Sequence, residues 1–516
     1  MSAVSAAAAP PAPLAISRGV VATALALGTF MQVLDTTIAN VSIPTISGNL
    51  GVAPDQSTWV ITSFAVANGI SVPLTGWLMQ RFGVVRTFVV SVLAFTIASF
   101  LCGIAWSLPS LIFFRVLQGA VSGPMIPGSQ ALLLSIFPPQ RKGMALAVWS
   151  MTTLIAPICG PILGGVISDN YSWPWIFLIN VPVGLFCAAI CWAALRHRET
   201  PTRKLRVDGI GLALLVVWVG SLQLMLDTGK DADWFASPLI VLETIVAIVG
   251  FIAFLIWERG EKNPIVDLSL FRNRNFSLGT ITMVLGYAVF FASVVLQPLW
   301  MQTRLGYTAT WAGLVAAPSG IVAVLVSPFV GKLIGRVDPR MLATVAFIAF
   351  GISYFMRAGY TADADFWTYV MPLLVQGIGM ATFFVASLTI LLDGVPPERV
   401  PSASGLSNFT RITAGSFATS IVTTFWDRHA TMHQTHLAEA TSVYDPRLQH
   451  SIELLGTRGL SETQALGAIT RTMSDQAYLL SALDFFWLCG WLSFAMIAVV
   501  WFTRRPRGAP VAAAAE

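Results

Sequence analysis

The sequence predicts an all-α polytopic membrane protein of fourteen transmembrane helices, built from two related halves, and three observations carry that prediction. The 516 residues are 55% hydrophobic and only 11% charged, with a mean hydropathy of +0.74, which a soluble domain of ordinary composition does not show. The apolar windows, each near the roughly 20 residues a helix needs to cross a bilayer, number about fourteen. The chain also repeats itself. Gly76, Leu78 and Arg81, a Gly-x-Leu-x-x-Arg motif, return as Gly331, Leu333 and Arg336; Thr58-Trp59 is answered by Thr310-Trp311, and Pro138 to Arg141 by Pro396 to Arg399. The shared offset of roughly 250 to 260 residues is that of an internal repeat. In a membrane protein, two related halves imply alternating access at their interface.

In chain order the windows fall near 19–44, 57–79, 86–106, 110–134, 144–167, 175–195, 209–226, 238–257, 277–301, 310–334, 341–358, 368–392, 402–425 and 478–502. Their continuous apolar runs exclude a porin-like barrel, whose strands alternate polar and apolar residues over about ten positions. The halves parse the windows as six, two and six. The expected domains are a disordered cytoplasmic tail at 1–17, an N-terminal six-helix bundle at 18–200, a two-helix insertion with cytoplasmic linkers at 201–275, a C-terminal bundle at 276–503 and a cytoplasmic tail at 504–516. Arg81, Arg86, Arg141, the basic run from Arg196 to Arg206, Arg259, Arg272, Arg336, Arg340, Arg399 and Arg504 all fall on one side, whereas the other side's short loops hold little more than Lys230 and Arg304. By the positive-inside bias both termini are cytoplasmic. The net charge of +5 is therefore a topology signal and not a sign of nucleic-acid binding. Residues 1–17 are Ala/Pro-rich without a basic leader, so no cleavable signal peptide is expected.

All five cysteines lie within apolar windows without metal-ligand spacing, which suggests neither a disulfide framework nor a zinc site. The outer segment 426–476 is the long loop of the chain and holds His429, His433, His436 and His450. Its polar stretches 431–440 and 461–476 read as short amphipathic helices. Three histidines at spacings of four and three can line one helix face and bind a metal, but a solvated face is the preferred reading, since no carboxylate-rich second shell stands nearby in the sequence, and no metal site is assigned.

A carboxylate at the centre of a membrane helix costs about 3 kcal/mol on insertion scales, so Asp35 in the first window needs a reason. At 100° per residue, Gln32, Asp35, Thr36 and Asn40 form one polar stripe, expected to face the cavity between bundles. The functional reading is an acid that carries a proton in one access state and releases it in the other; the alternative is a structural hydrogen-bonding aspartate. Arg115 is its expected partner, on a polar, small-residue face with Gln118, Gly119 and Ser122. A guanidinium keeps its charge and favours the ionised form of a neighbouring acid. Arg411, aligned with Ser404, Asn408 and Gly415, and Asp484 in the last window form a possible second charge site for substrate or protons, with Asp484 also readable as an interfacial carboxylate. In the fifth window Ala156, Gly160 and Gly164 make a small-residue ridge, while Pro157 and Pro161 weaken the hydrogen-bond ladder. Gly76, Arg81, Gly83 and Arg86 form a tight cytoplasmic turn expected to latch one bundle to the other. Met301, Phe383 and Phe384 are readable as cavity-lining, as lipid-facing or as helix-packing side chains.

Together these segments resemble the major facilitator superfamily. Leu34 to Pro44, the loop motif at 76–86, Arg115 with Gln118-Gly119, Gly160 to Gly165 and Trp175 to Gly184 indicate its drug:proton antiporter branch with fourteen spans; Asn263 to Phe271, Trp300 to Ala317 and Ala403 to Arg411 resemble EmrB-type multidrug efflux subunits. The resemblance implies a major facilitator fold and proton-coupled efflux of hydrophobic drugs and toxic compounds across a bacterial inner membrane. It implies no cofactor beyond the proton gradient, and coupling by Asp35 and Arg115. It also implies work with a periplasmic membrane-fusion (EmrA-type) subunit and a TolC-type outer-membrane channel, with 426–476 as a docking surface. One departure stands out: the family's loop motif has an acid before its first Arg, and this chain has Gln80. Two alternatives stay open. One is a same-fold exporter of a dedicated metabolite or siderophore. The other is a membrane-embedded lipid-modifying enzyme, against which stand the missing His-Glu-x-x-His and Gly-x-Ser-x-Gly motifs.

Overall fold

The computed structural model describes residues 16–52, 54–57, 59–138, 141–203, 208–262, 264–334, 336–362, 364–439 and 445–506, and among them it is helical throughout, with no strand. Residues 1–15 of the expected N-terminal tail, 507–516 of the C-terminal tail, Thr58, Pro139, Gln140 and 204–207 lie outside the described residues, as do the side chains of Asn40 and Pro161. The helices are α1 (Arg18–Leu50), α2 (Pro54–Ser57), α3 (Trp59–Ser71), α4 (Thr75–Phe82), α5 (Val84–Gly103), α6 (Leu108–Ser122), α7 (Met125–Ile136), α8 (Lys142–Asn170), α9 (Trp175–Leu178) and α10 (Asn180–Leu195). They continue as α11 (Gly209–Thr228), α12 (Pro238–Gly260), α13 (Arg274–Arg304), α14 (Ala309–Leu333), α15 (Pro339–Arg357), α16 (Phe366–Leu391), α17 (Val400–Glu439), α18 (Pro446–Thr457) and α19 (Glu462–Trp501).

Helix occupies all fourteen windows. By length and composition, ten helices qualify as membrane spans, and twelve if the bent pairs α3–α4 and the two parts of α8 each count as one. The other two expected spans fall short for local reasons. Window 110–134 is broken at Gly123-Pro124 into α6 and α7, because proline cannot continue the hydrogen-bond ladder. Window 402–425 lies inside α17, where Ser402, Ser404, Ser407, Asn408 and Arg411 lower the hydropathy.

The boundaries follow side-chain chemistry. Ser107 and Ser110 make a reciprocal capping box at the start of α6, and Ser461 and Gln464 make another at α19. Gly51 ends α1 in the left-handed conformation. The expected long loop is largely helical, which corrects the expectation of separate short helices at 431–440 and 461–476. No glycine or proline interrupts 426–439, so α17 runs on to Glu439, and α19 starts as early as Glu462.

The contacts divide the chain into two compact units. One comprises 1–220, 247–270 and 395–409, and the other 221–246, 271–394 and 410–516. Helices α11 and α12 of the insertion are shared between the units. In the first, Trp218 packs against Phe251, Phe254 and Phe409 at ring separations of 4.9, 6.0 and 5.8 Å. In the second, Trp234 Nε1 donates to Thr424 Oγ1 at 2.9 Å, Ser420 Oγ donates to the Leu226 carbonyl at 2.6 Å, and Lys230 pairs with Asp427 at 2.7 Å. The insertion thus attaches to α17, while Leu242, Ile245, Ile248, Val249 and Ile252 of α12 stay exposed, as a lipid-facing helix requires.

Within the first unit α1 packs along α8, and the small-residue ridge makes this close. A Cβ on Gly160 would stand 2.0 Å from Thr37 Oγ1, and one on Gly164 would stand 2.8 Å from the Ile38 carbonyl oxygen. Without a hydrophobic effect between helices in lipid, such backbone approach is a main source of packing energy. Helix α8 bends by 44° between 142–157 and 162–168, which spans both prolines. Gly164→Leu should therefore separate α1 from α8 and abolish a monodisperse peak on size-exclusion chromatography. Gly165→Leu, whose Cβ meets nothing within 4 Å, should leave that peak intact.

Candidate functional site

The polar stripe of α1 does not act as one surface. Asp35 turns into the interior of the first unit and is fully buried, Thr36 Oγ1 donates back to its own helix at the Val33 carbonyl (2.7 Å), and Gln32 is buried with its Oε1 unpartnered. Asp35 meets Arg115 and Gln118 of α6, as the sequence suggested, and also Asn180 at the start of α10. Arg115 Nη1 donates to Asp35 Oδ2 at 2.5 Å; Gln118 Nε2 and Asn180 Nδ2 donate to Oδ1 at 3.1 and 3.0 Å. Three donors from two helices, α6 and α10, compensate one buried carboxylate of α1, the condition under which burying a charge is tolerable.

The cation is anchored independently of the acid. Arg115 Nε donates to the Val60 carbonyl at 2.9 Å and Nη1 to Gln118 Oε1 at 2.8 Å, and the guanidinium lies 4.2 Å from the Phe64 ring centroid. Asn180 is in turn oriented by a bond from Nδ2 to Ser99 Oγ (3.0 Å), whose hydroxyl donates to the Phe177 carbonyl (2.9 Å). The α3 backbone reaches this site because Gly119 lacks a side chain: a Cβ there would stand 2.5 Å from the Phe64 carbonyl oxygen. Sequence reasoning missed Asn180, although it lies inside the Trp175 to Gly184 segment as a polar residue in an apolar run.

The second unit repeats part of this geometry with two exchanges, at the acid and at the arginine. Gln376-Gly377 of α16 corresponds to Gln118-Gly119, and Ser293 of α13 follows Asp35 at the same interval. Gln376 Nε2 donates to Ser293 Oγ at 3.2 Å, and a Cβ on Gly377 would stand 2.5 Å from the Ser319 carbonyl oxygen. Leu373 replaces the arginine, and Arg357 at the end of α15 supplies the guanidinium instead, bonding to Gln376 Oε1 and Ser353 Oγ. The repeat thus retains the glutamine and the glycine and loses the acid. Arg357 escaped the sequence reading because a charge at a helix end looks interfacial; it is 1% exposed.

The remaining expected residues divide between the units. Asn408 Nδ2 donates to Gln130 Oε1 at 3.1 Å in the first unit. Arg411 is buried in the second, 4.9 Å from the Tyr287 ring. Asp484 is half-exposed and not close to Arg411; it pairs with His433 (2.7 Å). The two therefore do not form one charge site. Met301, Phe383 and Phe384 are fully buried, the last two in an aromatic cluster with Phe347, Phe350 and Tyr287, so packing is their evident role.

The loop motif is explained by two contacts. Gly76 lets α4 approach α17, since a Cβ there would stand 2.9 Å from Ser402 Cα. Gln80, the motif position at which the resemblance led to the expectation of an acid, donates from Nε2 to Ser402 Oγ at 3.0 Å. Gly83 (φ +92°) separates α4 from α5 and admits Glu199, whose carboxylate accepts from the backbone N–H groups of Val85 (3.0 Å) and Arg86 (2.9 Å). An acid at a helix N-terminus satisfies orphan donors and the helix dipole. Arg81 stacks over Trp77 at 5.1 Å, and Arg86 contributes its backbone. In the second copy, Asp338 caps its own helix α15 and pairs with Arg340 at 2.8 Å. Burial pushes the Asp338 carboxyl up, but the Arg340 bonds, with Arg505 nearby, outweigh this and hold it below the usual carboxylate range. Glu398 and Arg399 of the repeated Pro-Pro motif line a cavity of about 670 Å³ with Gln80, Arg203, Lys262 and Asp267, where Arg399 pairs with Asp267 at 2.8 Å.

The model of the Major Facilitator Superfamily matches residues 25–419. The chain belongs to the major facilitator superfamily. It is 50% identical over 488 residues to the multidrug export protein EmrB of Escherichia coli K12, covering 94% of this chain and 95% of that one. It is also 46% identical to the fatty acid resistance protein FarB of Neisseria gonorrhoeae, covering 93% and 95%. The solved structure of the human organic anion transporter MFSD10 (TETRAN) matches with a TM-score of 0.56 at 13% identity, covering 95% of this chain and all of that one, and supports the fold. The chain is thus an EmrB-type, multi-pass membrane transporter of the superfamily and not an enzyme.

Two substitutions test the geometry. Asn180→Leu leaves Asp35 and Ser99 each short of a bond and should cost about 1–3 kcal/mol, read as a lower melting temperature of the purified protein. Glu199→Gln weakens the cap on α5 and should cost about 1 kcal/mol, with the melting temperature falling by less than for Asn180→Leu.

Proposed function

We propose that this protein exports hydrophobic drugs and other toxic lipophilic compounds, cationic or uncoupler-like, across a bacterial inner membrane in exchange for protons. The observation that carries the reading is the enclosed Asp35, held by Arg115, Gln118 and Asn180. Similarity to EmrB and FarB supports the substrate class, since those proteins are named for multidrug export and fatty acid resistance.

In this reading a proton from the outer side neutralises Asp35 and removes the ionic part of its bond to Arg115. Arg115 keeps Val60, Gln118 and the Phe64 face, so the cation stays while the strut between α1 and α6 weakens. The two bundles then rearrange, the site opens inward, and release of the proton restores the pair. Each proton moved across 100 mV supplies about 2.3 kcal/mol, enough for roughly a fiftyfold gradient of a neutral solute. We further infer fourteen spans, with α6–α7 and α17 crossing the bilayer as well, and both termini cytoplasmic. The reading includes a periplasmic membrane-fusion subunit of EmrA type and a TolC-type channel as partners, supported by the similarity to EmrB and by the outward extensions of α17 and α19.

A second reading, a dedicated exporter, is favoured by the FarB similarity, which points to anionic amphiphiles. Transport into inverted vesicles under a proton gradient separates the readings. Wild type should concentrate several unrelated fluorescent lipophiles, and Asp35→Asn should bind them without concentrating them. Accumulation by Asp35→Asn equal to wild type removes Asp35 from coupling. Failure of wild type on every drug, with transport of a long-chain fatty acid, makes the dedicated exporter the better account.

A further inference from the structure

Where α17 and α19 run side by side toward their outer ends, three groups able to bind a metal converge. His429 and His433 lie one helical turn apart on the same face of α17, and Asp484 comes from α19. His433 Nε2 is 2.7 Å from Asp484 Oδ2, His429 Nδ1 is 3.8 Å from the same oxygen, and the three ligand atoms lie within 4.8 Å of one another. The His429 Nδ1 atom is shielded from solvent and has no hydrogen-bond partner. Its ring is held by stacking on Phe425, with centroids 3.8 Å apart. The helices are tied together beside this point: Trp426 Nε1 donates to the Tyr478 carbonyl at 2.9 Å, and Ser481 Oγ donates to the Trp426 carbonyl at 2.8 Å.

We propose that His429, His433 and Asp484 bind a divalent transition-metal ion of the zinc class. Two imidazoles and one carboxylate suit such an ion and leave a fourth position for water beside the half-exposed Asp484, whereas calcium and magnesium require more oxygen donors. Donors about 2.1 Å from a tetrahedral ion stand about 3.4 Å apart, a separation between the 2.7 Å of the nearest pair and the 4.8 Å within which all three atoms lie. A solvated His433–Asp484 ion pair explains one of these contacts but gives no role to the shielded, unpartnered His429 nitrogen. A bound ion would staple α17 to α19 in the segment that the sequence marked as the outer loop. His436 and His450 are exposed and take no part.

The test uses the full chain in detergent, stripped with a chelator and purified without a histidine tag. Zinc titration by calorimetry should give one saturable site in wild type and in His436→Ala. His433→Ala and Asp484→Asn should each weaken it by about 100-fold or more, and cobalt should give a tetrahedral visible spectrum in wild type alone of those three. Zinc should raise the melting temperature of wild type and leave that of His433→Ala unchanged. Absence of saturable binding by wild type, or equal binding by wild type, His433→Ala and Asp484→Asn, overturns the proposal.

Discussion

The arrangement of the N-terminal helices depends on one buried charge. Asp35 of α1 lies where a lone carboxylate is not tolerated, so α6 and α10 must present donors to it, Arg115 and Gln118 from the one and Asn180 from the other, within about 3 Å. Gly119 lets the α3 backbone, with the Val60 carbonyl and the Phe64 face, close over Arg115. In the proposed antiport Asp35 is the group that exchanges the proton while Arg115 keeps its charge, so the same contacts would serve both the fold and the coupling. The counterpart in the second unit isolates the effect of the acid. Ser293, Gln376 and Gly377 preserve the hydrogen bond and the close approach without a titrating group, which leaves Asp35 as the asymmetric element of a symmetric plan.

Close helix packing within the first unit depends on glycines. At Gly76, Gly119, Gly160 and Gly164 backbone or short side chains lie where a Cβ would stand, so packing there rests on many small dispersion contacts and not on large interlocked side chains. The loop motif joins this packing to polar contacts of moderate strength, Gln80 with Ser402 and Glu199 with the α5 terminus. The bond from Gln80 to Ser402 is a neutral one. Glu199, two residues before Pro201, places a carboxylate close by from a segment that the loop motif does not include.

Much of this was legible in the sequence because lipid imposes a plain code: twenty apolar residues make a helix, and an interior charge needs a partner. Helical periodicity groups Arg115 with Gln118, and the need of a buried charge for a partner joins Asp35 to them. Asn180 could not be grouped in this way, because it stands at the junction of two short helices where periodicity is lost, and Glu199 could not, because capping an element more than a hundred residues away leaves no local pattern. Asp35 turns into the first unit because its partners on α6 and α10 lie there, a detail that the periodicity of α1 does not carry. The span count also reached a physical limit, since Gly123-Pro124 breaks one helix and the serines of α17 dilute another below the hydropathy of a lipid-facing span.

The most direct test of Asp35 as the coupling acid is the proton released when a lipophilic cation is added to the purified protein in weakly buffered detergent solution. Wild type should release protons in a saturable amount set by the protein concentration, and Asp35→Asn, binding the same compound, should release none. Equal release from both proteins would contradict the account, because the exchanging group would then lie outside the Asp35, Arg115, Gln118 and Asn180 cluster.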